Sequence, residues 1–307
     1  MSKIIVGADG SDGSRDALPL ATRLAGITGS TLVLANVFPY DETPSGALNR
    51  EFEAHLRHDA EATLELLRET LDANTPVETR KVPNPSAAHG LHALAEREEA
   101  GLIVVGSTHT GRAGRLFPGS TGERLLHGAP CPVAVAPKAY ADRRGDESGV
   151  IGCGYDGSLS SQPALAAAGR IAAATGAQLR VIRAFQPLAY DIPPGSAAMG
   201  ERSVYNDSLQ QRAREELDAA VERIDHEPQA DACFAVGDPA HILAQESERL
   251  DLLFVGSRGY GPLHSVVVGG VAGRLVREAA CPVIVMPRKA GHVEEDSLFA
   301  EAASLHG

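Results

Sequence analysis

Two glycine-rich segments contain the residue types needed to bind phosphate groups. The first is GSTHTGRAGRLFPGST over residues 106–121, and the second is GSRGYGPLHSVVVGGV over residues 256–271. Each follows an apolar run of strand length and leads into a helical pattern. Glycine lets backbone N–H groups approach phosphate oxygens, and the N-terminus of the following helix adds a partial positive charge. Arginines at positions 112, 115 and 258 would add charge-assisted hydrogen bonds.

Two aspartates, Asp9 and Asp156, share the context GxDGS directly after an apolar run. Two interpretations are open. An Asp before Gly-Ser is good turn chemistry, so each carboxylate can cap a helix. Alternatively, each contacts a nucleotide at the carboxyl end of its strand. The run DGSDGS at residues 9–14 has no basic residue among its first glycines, which favours a helix cap over a phosphate loop of the ATP pyrophosphatase type.

The remaining reactive side chains do not form a catalytic or metal-binding pattern. The 11 histidines are scattered, and the cysteines at 131, 153, 233 and 281 lack metal-ligand spacing and a dense disulfide framework. Cys131 and Cys281 precede proline at the start of an apolar strand and are expected to be small buried hydrophobes. No Ser-His-Asp, paired-carboxylate or Cys-His arrangement emerges, so the sequence does not require an enzyme.

An internal duplication organises the chain of 307 residues. Gly7–Leu32 aligns without a gap with Gly154–Leu179, sharing GxDGS and a Thr-Gly pair, and Leu102–Pro137 aligns with Leu252–Pro287, sharing VGS and CPVxVxP. The polar run KAYADRRGDES is typical of a linker. Two interpretations of the tail after residue 287 stay open, a loose helix and a disordered segment. The predicted units are a first domain at 1–137, a linker at 138–148, a second domain at 149–287 and a tail at 288–307.

Strand-length apolar runs alternate with helical patterns in each half. The strands of the first half are expected at 3–9, 31–37, 77–82, 102–105 and 132–136. Its helices are expected at 11–29 and 47–73, between the third strand and residue 99, and at 122–127. This alternation predicts an α/β fold with a doubly wound parallel sheet in strand order 3-2-1-4-5 in each half. Ligands bind such sheets where the strand order reverses, between the first and fourth strands.

The last strand of each half has apolar residues on both faces. Val133 and Val135 alternate with alanines, and Val283 and Val285 alternate with Ile284 and a methionine. An apolar edge strand is rarely left exposed, because its free backbone groups invite pairing. We therefore predict that the halves pair through these strands as an internal pseudo-two-fold pair.

The second glycine-rich loop resembles the nucleotide-binding loop of the universal stress protein family, whose ATP-binding members have the pattern G-x2-G-x9-G-[ST]. Gly256, Gly259 and Gly269 match its three glycines, whereas Gly270 stands where Ser or Thr is expected. Gly270 lacks the hydroxyl but keeps its backbone N–H.

The first loop resembles the same pattern with a different departure. Gly106, Gly119 and Ser120 match, while His109 replaces the second glycine. A histidine is costly there if the position needs a positive φ, by roughly 1 kcal/mol or more.

The resemblance covers residues 3–137 and 150–287. It implies two flavodoxin-like, adenine nucleotide α-hydrolase-like domains in tandem, each binding an adenine nucleotide. It also implies that Asp9 and Asp156 face the adenosine and that Val37 and Ala184 meet the adenine edge through their backbone. The expected nucleotide-binding residues are Ala8, Asp9, Val37, Gly106, Thr108, His109, Gly119, Ser120, Thr121, Tyr155, Asp156, Ala184, Gly256, Arg258, Gly259, Gly269, Gly270 and Val271.

The family resemblance implies a cytoplasmic stress-response protein that binds ATP, with or without Mg²⁺, and acts through conformation or a regulatory protein partner. A homodimer is also compatible with it. Two alternatives stay open: a slow ATP hydrolase or nucleotidyl transferase using the same loops, and a nucleotide-free dimeric scaffold.

Charge and hydropathy bear on two classes of partner. The formal net charge is −12, with 28 basic and 40 acidic residues, so a nucleic-acid partner is disfavoured. No apolar segment reaches 18 residues, so no membrane span is expected. The first residues, MSKIIVGADG, lack the long apolar stretch and cleavage site of a signal peptide.

Overall fold

The computed structural model describes residues 2–40, 46–107, 121–126, 128–143, 149–187, 198–224, 229–257, 270–287 and 298–301. The strands are β1 (Lys3–Gly7), β2 (Thr31–Phe38), β3 (Val77–Pro83), β4 (Leu102–Gly106), β5 (Val133–Ala136), β6 (Val150–Gly154), β7 (Gln178–Phe185), β8 (Ala230–Val236), β9 (Leu252–Gly256) and β10 (Val283–Met286). The α-helices are α1 (Asp12–Thr28), α2 (Gly46–Glu69), α3 (Ala87–Arg97), α4 (Thr121–Leu125), α5 (Gln162–Thr175), α6 (Ala198–Glu222), α7 (Pro239–Glu246), α8 (Val271–Glu278) and α9 (Leu298–Glu301).

The ten strands in the described part of the chain form one sheet in the order β3-β2-β1-β4-β5-β10-β9-β6-β7-β8. Within each half the pairs are parallel and the order is 3-2-1-4-5, as the alternation of elements predicts. β1 lies between β2 and β4, with Ile5 opposite both Val33 and Ile103. Both faces of such a central strand are covered by helices, which explains its continuous apolar sequence.

The two halves join through an antiparallel pair, β5 with β10. Val135 lies opposite Val283, and Val133 lies opposite Val285. This confirms the predicted pairing of the last strands. Val133, Val135, Val283 and Val285 are all nearly inaccessible to solvent, so the seam belongs to the core. Pairing removes two short apolar edges that would otherwise be exposed.

Helices cover both faces of the sheet. α1, α2, α5 and α6 contribute to one apolar cluster, and α3, α4, α7 and α8 contribute to the other. The first helix has its predicted ends, because the Ser11 hydroxyl accepts a hydrogen bond from the N–H of Ser14 and Gly29 adopts the left-handed conformation at the C-cap.

The second helix is shorter than predicted. α2 ends at Glu69 rather than near residue 73. The backbone N–H of Thr70 donates to the carbonyl of Leu67, three residues back, rather than to the carbonyl four residues back that a continuing α-helix would use. The N–H of Thr75 likewise donates to the carbonyl of Asp72. The chain therefore turns before Pro76, which begins the approach to β3.

The start of the predicted linker is fixed to the first half. The Asp16 carboxylate, in α1, accepts hydrogen bonds from the N–H groups of Ala139 (2.9 Å) and Ala141 (3.0 Å). Asp16 is buried, so these charge-assisted bonds hold a short 3₁₀ turn at Tyr140–Asp142 against the helix. Residues 144–148 of the linker lie outside the described residues.

The tail contains an anchored segment. In α9, Leu298 is 2% exposed and Phe299 is fully buried, and α9 contacts both α1 and α5. The Phe299 ring packs edge-on against Phe254 of β9, with 5.6 Å between centroids. The sequence left open a loose helix or a disordered tail; the groove that holds this helix exists only once both halves are folded together.

Candidate functional site

A cavity of about 50 Å³ opens at the carboxyl ends of β1 and β4, where the strand order of the first half reverses. This is the place expected for a ligand in an open α/β sheet. The predicted site residues that line it are Ala8, Asp9, Val37, Gly106 and Thr121.

An equivalent cavity of about 100 Å³ lies at the carboxyl ends of β6 and β9 in the second half. The predicted site residues that line it are Tyr155, Asp156, Ala184, Gly256, Gly270 and Val271. The structure thus brings together every predicted site residue that it describes, in two groups. The predicted residues outside the described ranges are Thr108, His109, Gly119, Ser120, Arg258, Gly259 and Gly269, together with the additional arginines Arg112 and Arg115.

The first glycine of each loop makes a close backbone contact. A Cβ added at Gly106 would lie 2.0 Å from the carbonyl oxygen of Gly13, and one added at Gly256 would lie 2.1 Å from that of Ser160. Neither distance is possible for a side-chain carbon, so both positions require glycine. The first turn of α1 and the loop after β6 therefore press directly against the ends of β4 and β9, which leaves backbone rather than side chains at the floor of each cavity.

Neither Asp9 nor Asp156 caps a helix, because the N-cap residue of α1 is Ser11 and that of α5 is Ser161. Asp9 Oδ1 accepts hydrogen bonds from the N–H (3.0 Å) and hydroxyl (2.5 Å) of Ser11. Asp156 Oδ1 accepts the same pair from Ser158, at 3.0 and 2.5 Å. Each carboxylate therefore closes the turn after its strand and also lines a cavity.

Each cavity combines an apolar wall with a polar end. In the first half the wall includes Ala35, Val37 and Leu91, while Ser14 and Thr121 lie at the starts of α1 and α4. An apolar slot of this kind fits a flat base.

The hydroxyl of Ser107, the first residue after β4 and Gly106, is buried without a hydrogen-bond partner within the described ranges. A buried polar group normally has a partner, and an exception calls for an explanation. Its counterpart in the duplication, Ser257, lines the second cavity. A phosphate group bound at the first loop would supply an acceptor for the Ser107 hydroxyl.

Several lining residues were not predicted. They are Gly7, Ser11, Gly13, Ser14, Ala35, Ala87, Leu91 and Val105 in the first cavity, and Gly154, Ser160, Ser161, Ile182, Pro239, Leu243, Val255, Ser257, Ala272, Gly273 and Val285 in the second. The sequence holds a signal for some of them: Ala-His at residues 88–89 and 240–241 aligns Leu91 with Leu243, one wall residue in each half.

Glu123 and Leu126 of the first half also line the second cavity. Glu123 is 4% exposed, and its carboxylate accepts a hydrogen bond of 2.9 Å from the Arg277 guanidinium in α8. Thr121, at the start of the same short helix α4, lines the first cavity. One turn of helix therefore connects the two sites across the seam.

A second ion pair holds the wall of the second cavity. Asp238 caps α7, accepting from the N–H of His241 at 2.9 Å, and it pairs with Arg274 of α8 at 2.9 Å. The bond from His241 and the Arg274 guanidinium hold the pKa of Asp238 below its ordinary value. Pro239 and Gly273, the neighbours of Asp238 and Arg274 in sequence, both line the cavity, so this pair holds α7 to α8 at the cavity wall.

Three of the four cysteine side chains, Cys131, Cys153 and Cys281, are buried in the protein interior. Cys131 and Cys281 are buried, as predicted, and burial raises the pKa of the Cys281 thiol to about 12. Among the described residues no group of three His, Cys, Asp or Glu side chains is arranged to hold a metal ion. None of the described helices is both long and apolar enough to cross a membrane.

The chain is similar to known proteins along nearly its whole length. The family model described as Universal stress protein family matches residues 1–137 and again 148–287. A universal stress protein of Mycobacterium tuberculosis is 29% identical over 294 residues, covering 92% of this chain and 99% of that protein. One of Mycolicibacterium smegmatis is 27% identical over 307 residues, covering 92% and 96%.

Solved structures share the fold. A universal stress protein from Archaeoglobus fulgidus superposes with a TM-score of 0.63 at 18% identity, covering 94% of this chain and 98% of that one. A putative universal stress protein from Pseudomonas aeruginosa gives 0.61 at 18% identity, covering 100% and 98%.

Proposed function

This chain belongs to the universal stress protein family, with two family domains in tandem. On that premise we propose that each half binds one adenine nucleotide, either ATP or a related nucleotide. The observation that carries this proposal is the duplicated cavity. In both halves the described residues of the family motif surround one space at the strand-order reversal.

The residues present fit an adenine nucleotide. The apolar walls, with Leu91 in one half and Leu243 in the other, suit the base. Asp9 and Asp156, which line the cavities, would accept a hydrogen bond from a ribose hydroxyl. The loops after β4 and β9 would hold the phosphates through their backbone N–H groups, with the Ser107 hydroxyl as a further donor in the first half. The proposal applies to ATP with and without Mg²⁺.

The proposed role is that of a cytoplasmic stress-response sensor or regulator. Nucleotide binding would change how the loops and α4 or α8 are held, and a protein partner would read that change. A nucleotide contributes to such a switch only through a difference in its affinity for two conformations.

Titration calorimetry with ATP tests the proposal. We expect a stoichiometry of about two nucleotides per chain, since both cavities have the same construction. Gly119→Glu should remove the first site and Gly269→Glu the second, because a carboxylate at an anion site repels phosphate. A stoichiometry well below one per chain with ligand-free protein would contradict the proposal, and wild-type binding by both variants would contradict the loop assignment.

Hydrolysis is expected to be absent or far slower than the typical enzymatic rate of about 10 per second. The loops have glycines, hydroxyls and arginines, but neither contains a P-loop lysine or a carboxylate. A site that binds ground state and transition state equally well does not accelerate the reaction. A steady-state phosphate-release assay with Mg²⁺ measures the rate, with Asp9→Ala and Asp156→Ala as variants.

The alternative function as an ATP hydrolase has one specific observation in its favour. Glu123 places a carboxylate in the second cavity that does not belong to either loop. Release of several phosphates per second, lost in Glu123→Gln but not in Glu278→Gln, would assign hydrolysis to the second half. The ion pair of Glu123 with Arg277 argues against this, because it engages the carboxylate.

A further inference from the structure

The two outer edges of the ten-stranded sheet, β3 and β8, differ in a way that nucleotide binding does not explain. They occupy equivalent places in the two halves and have the same register on their neighbours, since Val77 lies opposite Leu32 and Ala230 lies opposite Leu179. Both strands have seven residues. β3 reads VETRKVP and β8 reads ADACFAV, so the first edge is charged and the second is apolar.

The backbone groups that face outward can be assigned on each edge. In β8 the carbonyl of Gln229 accepts from Leu179, and the N–H of Gly237 donates to Phe185, so the odd-numbered residues bond to β7. The outward residues are therefore Ala230, Ala232, Phe234 and Val236. By the same alternation the outward residues of β3 are Val77, Thr79, Lys81 and Pro83.

The first edge carries features that prevent strand pairing, and the second lacks them. Lys81 and Pro83 stand at outward positions of β3, and lysine and proline are the residues that natural proteins use to block sheet edges. The equivalent positions of β8 hold Phe234 and Val236. Val236 is 50% exposed, and Ala232 is also exposed. The one charge of β8, Asp231, is paired with Arg180 at 3.0 Å.

We propose that β8 is the interface for a second copy of this chain, which pairs with it as an antiparallel strand about a two-fold axis. The chain already joins β5 to β10 by antiparallel pairing of two apolar strands, over three residue pairs. A β8 pair extends the same construction over seven residues and makes one sheet of both chains. This inference goes beyond nucleotide binding and does not depend on it.

One register of the two β8 strands pairs every residue of the strand. With Cys233 on the two-fold axis, all seven residues of β8 are paired. Ala232 then forms a hydrogen-bonded pair with the partner's Phe234, and Ala230 pairs with the partner's Val236, so a small side chain faces a large one each time. Asp231 faces the partner's Ala235, so the two carboxylates never face each other. A strand that complements itself in this way identifies the occupant as a second copy.

The register makes Cys233 a native reporter. A non-hydrogen-bonded antiparallel pair has Cα atoms about 4.5 Å apart, within the range for a disulfide. Cys131, Cys153 and Cys281 are buried, whereas Cys233 is partly exposed. Burial raises the pKa of the Cys233 thiol, so oxidation is best carried out at alkaline pH.

Light scattering and sedimentation of the full chain test the proposal. The wild type should form a dimer with a dissociation constant in the micromolar range, and diamide should cross-link it through Cys233 but not in Cys233→Ser. Because each chain has a net charge of −12, added salt should strengthen the dimer. Ala232→Lys should raise the dissociation constant at least about tenfold, since it sets a lysine at the edge of each copy.

Two further variants distinguish loss of the β8 interface from a general effect of the substitution. Val236→Pro should also weaken the dimer; its N–H faces outward, so the ladder to β7 survives, as Pro83 shows at the equivalent place in β3. Thr79→Lys puts the same charge on the other edge and should leave the dimer unchanged. A wild-type monomer under these conditions overturns the proposal, even if β8 then binds a strand of another protein. A dimer that survives both β8 variants also overturns it.

Discussion

Replacing Gly256 by valine is expected to abolish ATP binding in the second half, with at least about a hundredfold loss of affinity. The Cβ of any residue at this position would lie 2.1 Å from the carbonyl oxygen of Ser160, and backbone cannot rotate away as a side chain can. The loop after β6 must therefore shift, and that loop carries Asp156. Calorimetry should show one site per chain instead of two.

Matched substitutions separate this effect from general damage. Gly273→Ala changes a glycine that lines the same cavity, but the added Cβ meets nothing within 4 Å. It should keep both sites and stabilise α8 by up to about 1 kcal/mol. Gly106→Val should remove only the first site, by the clash with Gly13. Two intact sites in Gly256→Val would show that the second cavity is not the nucleotide site.

Removing the carboxylate of Glu123 should have the largest effect on stability. Glu123→Ala leaves the buried end of the Arg277 guanidinium without its partner, and Arg277 Nε already has none among the described residues. Breaking a buried ion pair from one side costs about 3–5 kcal/mol, and because the Arg277 side chain is 22% exposed we expect a loss at the lower end of that range. Urea unfolding measures the loss in the free energy of unfolding. Both halves should be destabilised, because Glu123 lies in the first half and Arg277 in the second.

Two controls define the cause of that loss. Glu278→Ala removes a carboxylate from α8 that is 41% exposed and lies 4.0 Å from Arg274, so it should cost less than about 1 kcal/mol. In the double variant Glu123→Leu with Arg277→Leu, no charge remains unpaired, and most of the stability should return. A Glu123→Ala protein as stable as the wild type would show that the pair is not a structural link between the halves.

The sequence predicted the fold and the location of both cavities because the duplication presents each signal twice. GxDGS and the loop motif mark the same strand ends in both halves, and the apolar pattern around Val133 and Val283 indicated the seam. Glu123 could not be predicted. Its equivalent in the duplication is Gly273, and its role in the second cavity depends on how the halves lie across β5 and β10. No periodicity within one half reports on that arrangement.

Element ends were predicted less well for a local reason. The apolar pattern of α2 continues to residue 73, but Thr70 competes for the carbonyl of Leu67 through both its N–H and its hydroxyl. Such a competition is decided by single hydrogen bonds, which a pattern of apolar positions does not register.

The anchoring of α9 has a consequence for the protein during its synthesis. About 270 residues separate the end of α1 from Leu298, which helps to close the groove between α1 and α5. At about 5–20 residues per second, the ribosome needs roughly 14–54 seconds to cover that interval. During that time the side of α1 that α9 covers in the folded protein stays uncovered and available to chaperones. The first half is translated first, yet its core is completed by a segment that the ribosome makes after the second half.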